Sequence, residues 1–124
     1  MRAFLIPAVL LLAAVPGGAR DRSIPVATPD GPAVSCIPLS QVKNTRVRSD
    51  NIIDFEMRGG KVYRNTLPQS CPSLGFEERF IHKTSTNNYC SSDIITVFDS
   101  GSNIPGPSCG LGEFQPVKLS KPAR

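Results

Sequence analysis

Aromatic residues are scarce in this 124-residue sequence, which contains no tryptophan, two tyrosines and a single histidine, His82. Proteins that bind single-stranded nucleic acids usually stack the bases on exposed aromatic side chains, so this composition disfavours a nucleic-acid partner. A Ser-His-Asp or Cys-His site would have to use His82, and no G-x-S-x-G elbow accompanies it. We expect His82 to be a surface residue without a role, and we predict no catalytic residue and no cofactor.

Motifs for metal ions and phosphate groups are also absent from the sequence. Successive cysteines are separated by 35, 19 and 19 positions, whereas structural zinc sites usually use C-x-x-C pairs. Residues 99–103 are rich in oxygen ligands but lack the third acidic position and closing glutamate of an EF-hand. Residues 109–114 contain two glycines without the G-x-G-x-x-G spacing. We expect a plain turn at the first segment, a bulge or corner at the second, and no metal site.

The one long apolar run is found at residues 3–15, directly after Arg2. Small residues follow at positions 16–19, as they do before a signal-peptidase cut. A membrane anchor needs about 20 apolar residues, and this shorter run is interrupted by Pro7. Residues 1–19 are therefore predicted to be a secretory signal peptide, and the mature protein is expected to be periplasmic or secreted and not membrane-spanning.

The four cysteines are Cys36, Cys71, Cys90 and Cys109. An even number of cysteines in an oxidising compartment indicates two disulfides. Counting successive antiparallel strands places Cys36 and Cys90 at one end of the sheet and the other two cysteines at the opposite end. Strands of six to eight residues span about 20 to 27 Å, whereas bridged Cα atoms must lie within about 7 Å. The favoured pairs are therefore Cys36–Cys90 and Cys71–Cys109.

The domain organisation follows from the prolines and the β-branched runs. Residues 20–35 contain three prolines and little that could pack, so we expect a flexible leader there. Residues 36–119 are predicted to form a single domain, and residues 120–124 a frayed tail. Short β-branched runs separated by turn residues predict an all-β fold, either a small antiparallel β-sandwich or a partly open barrel stapled by two disulfides.

Three segments within the domain have specific expectations. Residues 93–99 form the most apolar β-branched run after the signal, so we expect a central strand that is covered on both faces. Residues 100–108 are expected to form a loop. Residues 76–83 are interpreted as a strand, with a short helix as the alternative.

Residues 52–67 (IIDFEMRGGKVYRNTL) predict a β-hairpin that turns at its Gly-Gly pair. A two-residue loop pairs Met57 with Val62, and a three-residue loop pairs Met57 with Tyr63. We favour the second register because it collects the apolar side chains on one face. It leaves these residues on the solvent face: Asp54, Glu56, Arg58, Arg64 and Thr66. It also turns Asn65 inward, where we expect the amide to satisfy loop backbone.

The charge balance is mildly positive, with 14 Lys and Arg against 10 Asp and Glu and a net charge of +4. Such a charge attracts anionic polymers or membrane surfaces without specifying a partner. We expect a solvated face, with contact to an anionic envelope surface as the functional alternative. The basic residues that would form this face are Arg46, Arg48, Arg58, Lys61, Arg64, Arg79 and Lys83.

Five segments together resemble a known family: residues 36–39 (CIPL), 63–67 (YRNTL), 71–74 (CPSL), 90–97 (CSSDIITV) and 109–114 (CGLGEF). Their order and spacing are similar to those of small exported proteobacterial proteins classed as a domain of unknown function. The resemblance covers the domain from Cys36 to Val117. It implies a bacterial envelope setting and supplies no activity.

Three hypotheses for function follow. The first is a binding or structural module of the bacterial cell envelope, which works through a rigid, disulfide-held β surface and meets an envelope protein or an anionic surface. The second is a secreted inhibitor that presents a constrained loop, such as residues 100–108, to an enzyme. The third is a hydrolase that uses His82 and an acidic partner, and the sequence favours it least.

Overall fold

The computed structural model describes residues 23–83, 86–99, 101 and 104–121. The predicted signal peptide and residues 122–124 of the predicted tail lie outside these residues. A one-turn helix, α1 (Leu74–Glu77), and a 3-10 turn (Leu39–Gln41) accompany the strands. The strands are β1 (Val26–Pro29), β2 (Cys36–Pro38), β3 (Val42–Ser49), β4 (Ile52–Met57), β5 (Val62–Thr66), β6 (Phe80–His82), β7 (Asn88–Cys90), β8 (Ile94–Phe98), β9 (Pro105–Gly110) and β10 (Phe114–Ser120).

The strands form three antiparallel sheets, so the predicted all-β class is confirmed. The large sheet has the order β1-β10-β5-β4-β3. A two-stranded sheet pairs β2 with β7, and a three-stranded sheet has the order β6-β8-β9. Buried side chains from the large sheet and from both smaller sheets belong to one hydrophobic cluster. The arrangement is therefore a small sandwich with its core between the large sheet and the two smaller ones.

Aromatic contacts tie the core of the sandwich together. Phe55 of β4 and Phe114 of β10 are both fully buried, and their ring centroids lie 5.2 Å apart in an edge-to-face arrangement. The ring of Tyr89 in β7 meets Phe55 from the opposite sheet, with centroids 5.0 Å apart. Such edge-to-face pairs add to the free energy gained from burying apolar area.

β8 is the central strand of the three-stranded sheet, but only one of its faces is buried. Ile95 and Val97 point into the core and are 0% and 1% exposed, whereas Ile94 is 53% exposed. The expectation that both faces would be covered is wrong, because the large sheet packs against the inner face only. An apolar run alone does not reveal how many layers cover it.

The hairpin forms, but its register differs from both alternatives considered above. Phe55 pairs with Tyr63 and Ile53 pairs with Asn65. The Met57 N–H donates to the Lys61 carbonyl over 2.8 Å, so the loop is residues 58–60. Its two glycines have φ of +91° and +93°, a conformation that favours glycine. The favoured register is wrong by two positions, and a slip of two preserves which side chains share a face. The apolar pattern therefore could not distinguish the two.

The N-terminal segment joins the large sheet. β1 pairs antiparallel with β10, with Val26 opposite Ser120. Further along, Val34 and Phe114 exchange N–H to carbonyl hydrogen bonds of 2.9 Å in both directions. This differs from the expected flexible leader over residues 20–35, and it also places Ser120 in a strand instead of a frayed tail. Prolines are tolerated here because β1 is an edge strand.

Two further segments differ from their sequence expectations. Residues 76–83 contain both the predicted strand and its alternative, a short helix, since α1 ends at Glu77 and β6 begins at Phe80. The expected loop at residues 100–108 is shorter, because Pro105 begins β9. Edge strands accept proline, and β9 is the last strand of its sheet.

The disulfides are Cys36–Cys90 and Cys71–Cys109, the pairs that the strand count favours. Cys36 and Cys90 lie directly opposite each other in the β2–β7 pair. The second disulfide joins the segment that follows β5 to β9, with 5.9 Å between its Cα atoms. The predicted connectivity is therefore confirmed.

Candidate functional site

His82 is not a surface residue. Its side chain is 5% exposed, and Nε2 lies 2.9 Å from Oδ2 of Asp93. The imidazole stacks on the ring of Tyr89, with centroids 4.2 Å apart. The expectation of a solvent-facing histidine is wrong because Tyr89 of β7 and Asp93 cover the imidazole.

The His82–Asp93 pair joins three structural elements. The same Oδ2 of Asp93 that meets His82 also accepts a hydrogen bond of 2.8 Å from the Cys90 N–H. Asp93 therefore links β6 to β7 at the position of a disulfide cysteine. Burial raises the pKa of the neighbouring Tyr89 phenol, because an ionised oxygen would lose its hydration there. The pair supplies the acidic partner that the hydrolase hypothesis needs, and its contacts are those of a structural link.

Asp54, expected on the solvent face of the hairpin, is completely buried. Its carboxylate accepts hydrogen bonds of 2.7 and 2.9 Å from Nε and Nη2 of Arg64, and one of 2.9 Å from Nε of Arg48. Arg64 Nη2 also donates to the Pro25 carbonyl over 3.0 Å. The solvent-face assignment is wrong because the two arginines and the chain that enters β1 cover this part of the sheet.

The predicted basic face is interrupted by intramolecular pairs. Besides the two arginines on Asp54, Arg46 meets Glu56 with an Nε to Oε1 distance of 2.8 Å. The ammonium group of Lys61 lies 5.1 Å from the centroid of the Tyr63 ring. These partners reduce the positive potential that an anionic surface would meet.

A cleft of about 520 Å³ lies beside the Cys71–Cys109 disulfide, and we call it the β9 cleft. One wall is the segment that comes after β5 in the sequence. The other wall is the second half of β9 together with Leu111. Its lining residues are Pro68, Gln69, Ser70, Pro72, Ser92 and residues 107–111. None of these side chains is ionisable, since the one cysteine among them is in a disulfide.

A buried amide fixes the chain next to Leu111, the last residue that lines the β9 cleft. Asn65 Nδ2 donates to the Gly112 carbonyl over 2.7 Å, and the Gly112 N–H donates to Asn65 Oδ1 over 2.8 Å. A Cβ atom at Gly112 would collide with the Thr66 carbonyl oxygen, so only glycine fits. The expectation that the Asn65 amide satisfies loop backbone is confirmed. These two hydrogen bonds, which we call the amide bracket, hold Gly112, the residue directly after Leu111, against β5.

The disulfide and the main chain position the other wall. Prolines at positions 68 and 72 end the pairing of β5, because proline cannot donate to a ladder. Between them, the Cys71 N–H donates to the Asp50 carbonyl over 2.7 Å. The covalent bond from Cys71 to Cys109 then ties this wall to β9. The cleft is therefore held open by connections that do not depend on a ligand.

The described part of the oxygen-rich segment 99–103 contains a turn, in which the N–H of Gly101 donates to Oδ1 of Asp99 over 2.8 Å. Positions 100, 102 and 103 of this expected turn, which also belong to the candidate inhibitory loop, lie outside the described residues. Within the described part of the chain, no group of three or more His, Cys, Asp and Glu side chains is placed to hold a metal ion.

Sequence reasoning did not identify the β9 cleft. Its lining comes from three segments that are separated by more than ten positions each, and none of them contains a binding motif. The available signals were the prolines on both walls and the expected pairing of Cys71 with Cys109. Together these predict two rigid segments in contact, but they do not predict a gap between them.

Comparisons with protein-family models, curated proteins and solved structures find no match to this chain. The resemblance to a family of small exported proteins and the envelope setting that it implies stay predictions. No helix among the described residues has the length and apolar character needed to cross a membrane.

Proposed function

We propose that the chain is an exported binding module of the bacterial envelope that engages its partner through the β9 cleft. The observation that carries this proposal is the lining of the cleft, which is concave and rigid and has no ionisable side chain. General acid–base and nucleophilic catalysis need titratable or activated groups at the reacting centre. A concave surface with convergent hydrogen-bonding groups is suited to binding.

The disulfides support the exported setting. Cytosolic thiols are kept reduced, whereas the two bridges here are consistent with an oxidising compartment. The predicted signal peptide at residues 1–19 points the same way. A small domain that must persist outside the cytoplasm gains most from such bridges, since its core is limited.

Affinity capture from periplasmic extract tests this proposal. The immobilised oxidised protein is compared with a Gly110→Trp variant, which places an indole at the β9 cleft, and with Gly110→Ala as the matched control. A Cβ at Gly110 meets no atom within 4 Å, so a side chain can begin at this position without a main-chain clash, and circular dichroism checks that both variants keep the wild-type fold. We expect wild type and Gly110→Ala to retain the same partner and Gly110→Trp to lose it. Equal retention by all three, or no retention by wild type, contradicts the proposal.

A secreted inhibitor is the second candidate. The observation in its favour is Ile104, which directly precedes β9 and is 65% exposed. Inhibitors commonly insert one such side chain into the specificity pocket of an enzyme. Titration of a panel of secreted proteases measures this activity, and Ile104→Asp is expected to abolish any inhibition that wild type shows.

A further inference from the structure

We propose that the free edge of β9 binds an extended, uncharged peptide segment as an added strand. The β9 edge is defined here as the main-chain groups of Ser108 and Gly110 on the side of β9 away from β8. This inference rests on the proposed binding function and names the chemical class of its partner.

The direction of the main-chain groups follows from the residue after β9. The Leu111 N–H donates to the Asp93 carbonyl over 2.9 Å, and the Leu111 carbonyl accepts from the Ser92 N–H over 2.9 Å. The main-chain groups of Leu111 therefore face the chain that enters β8. Successive residues of an antiparallel strand direct these groups to opposite edges. Gly110 and Ser108 consequently direct theirs away from β8.

These groups have no main-chain partner beyond β9. The sheet order β6-β8-β9 ends with this strand. Among the described residues, no main-chain hydrogen bond outside the β8–β9 ladder involves Ser108 or Gly110. Both residues line the β9 cleft. An unpaired strand edge that opens into a cleft is a template for an incoming strand.

The prolines in β9 leave this template intact. Pro107 lies where the β8–β9 register shifts, between the pairs Thr96–Ser108 and Phe98–Pro105, and so it precedes the edge formed by Ser108 and Gly110. Its missing N–H is therefore not lost from that edge. Because the edge consists of the main-chain groups of two residues, the strand that can pair is short, which discourages open-ended aggregation. The β9 edge is suited to a short strand.

The lining of the β9 cleft defines the side chains of the partner. The opposite wall offers the amide of Gln69 and the hydroxyl of Ser70, and the β9 wall carries the Ser108 hydroxyl, 2.9 Å from that of Thr96. A charged side chain would lose hydration there without meeting an opposite charge. The edge lies beside a second wall that the Cys71–Cys109 disulfide joins to β9, and such a confined edge favours a short peptide over the strand edge of a second copy of this chain.

Hydrogen exchange with a synthetic probe tests the proposal. The probe is a capped hexapeptide of alternating serine or threonine and valine, and the protein is the oxidised full chain. On saturation, we expect the amides of Ser108 and Gly110 to exchange at least about tenfold more slowly, and those of Cys109 and Leu111 to be unchanged. A probe that is N-methylated at alternate residues is expected not to bind. No binding up to about 1 mM overturns the proposal, as does protection confined to other strands or protection that rises with protein concentration alone.

Proline variants distinguish main-chain hydrogen bonding along the β9 edge from simple occupation of the β9 cleft. Gly110→Pro removes one edge N–H and is expected to bind the probe about tenfold more weakly than Gly110→Ala, which keeps that N–H. Ser108→Pro against Ser108→Ala repeats the comparison if the first proline variant does not fold. Equal binding by the folded proline variant and its alanine control overturns the proposal. If periplasmic capture is lost with Gly110→Trp but not with Gly110→Pro, edge pairing fails while binding in the cleft stands.

Discussion

The large sheet and the two smaller sheets are held together in different ways. The large sheet contains four strand pairings, and β3 and β10 in it are eight and seven residues long. None of the four cysteines lies in its strands. β2, β6 and β7 of the smaller sheets have three residues each. One disulfide joins β2 to β7, and the other attaches β9 to the segment that follows β5. Long ladders hold without covalent help, whereas three-residue ladders are too short to be stable alone.

The buried polar contacts follow the same division. In the large sheet, the Asp54 carboxylate is held by two arginines, which replace the water it loses on burial. On the other side, Asp93 joins His82 to the main chain at Cys90, beside a disulfide. Charge pairing supports the region with many strands, and covalent bonds support the region with few.

Removing either disulfide should have the largest effect on the smaller sheets. The double variant Cys71→Ser/Cys109→Ser opens a loop between residues 38 positions apart, which costs about 4 kcal/mol of unfolding free energy in the chain-entropy estimate. We expect hydrogen exchange to accelerate first in β8, β9 and the β9 cleft. The control is Cys36→Ser/Cys90→Ser, which should affect β2 and β7 first. Uniform loss of protection across the large sheet in both variants would remove the distinction between the two regions.

Neutralising the buried carboxylate should have the next largest effect. Asp54→Asn leaves Arg48 and Arg64 partly buried and without their counter-charge, at a cost of about 3 kcal/mol. Urea unfolding at neutral pH measures the change. A loss below about 1 kcal/mol would mean that solvent compensates the arginines and that the large sheet does not depend on this pair.

The pair of hydrogen bonds between Asn65 and Gly112 connects β5 of the large sheet to the chain that follows β9. Asn65→Ala leaves the N–H and carbonyl of Gly112 without partners, and we expect a loss of about 2 kcal/mol. Asn44→Ala is the matched control, since that amide is exposed and should contribute less than about 0.5 kcal/mol. Equal losses of unfolding free energy in the two variants would show that the Asn65–Gly112 hydrogen bonds contribute no more to stability than an exposed amide does.

The exposed ion pair should have the smallest effect. Arg46 is 54% exposed in its pair with Glu56, so Arg46→Ala is expected to cost about 0.5 kcal/mol or less. The difference should vanish in 1 M salt, where charges are screened within about 3 Å. A larger, salt-independent loss would assign Arg46 a packing role in the large sheet.

The features that were predicted correctly depend on local chemistry or on the end of the sheet that each successive antiparallel strand reaches. Strand counting gave the disulfide pairs, and the alternation of the hairpin, which turns Asn65 inward, gave the role of its amide. The hairpin register was missed because a slip of two residues leaves every side chain on its face. β1 was missed because its partner, β10, is distant in sequence and its prolines resemble those of a linker.

The β9 cleft and the buried histidine could not be predicted for a different reason. A cleft is the space between segments, and the sequence of one segment does not determine its distance from another segment. The burial of His82 depends on Tyr89 of β7 and on Asp93, which directly precedes β8. Such packing between sheets has no periodic signature in the sequence.

Peptide mapping of the protein purified from its native host under non-reducing conditions tests the central claim most directly. The account predicts an N-terminus at Arg20 and two cross-linked peptides, one joining Cys36 to Cys90 and one joining Cys71 to Cys109. A stably folded protein that retains residues 1–19 and carries four free thiols would contradict it.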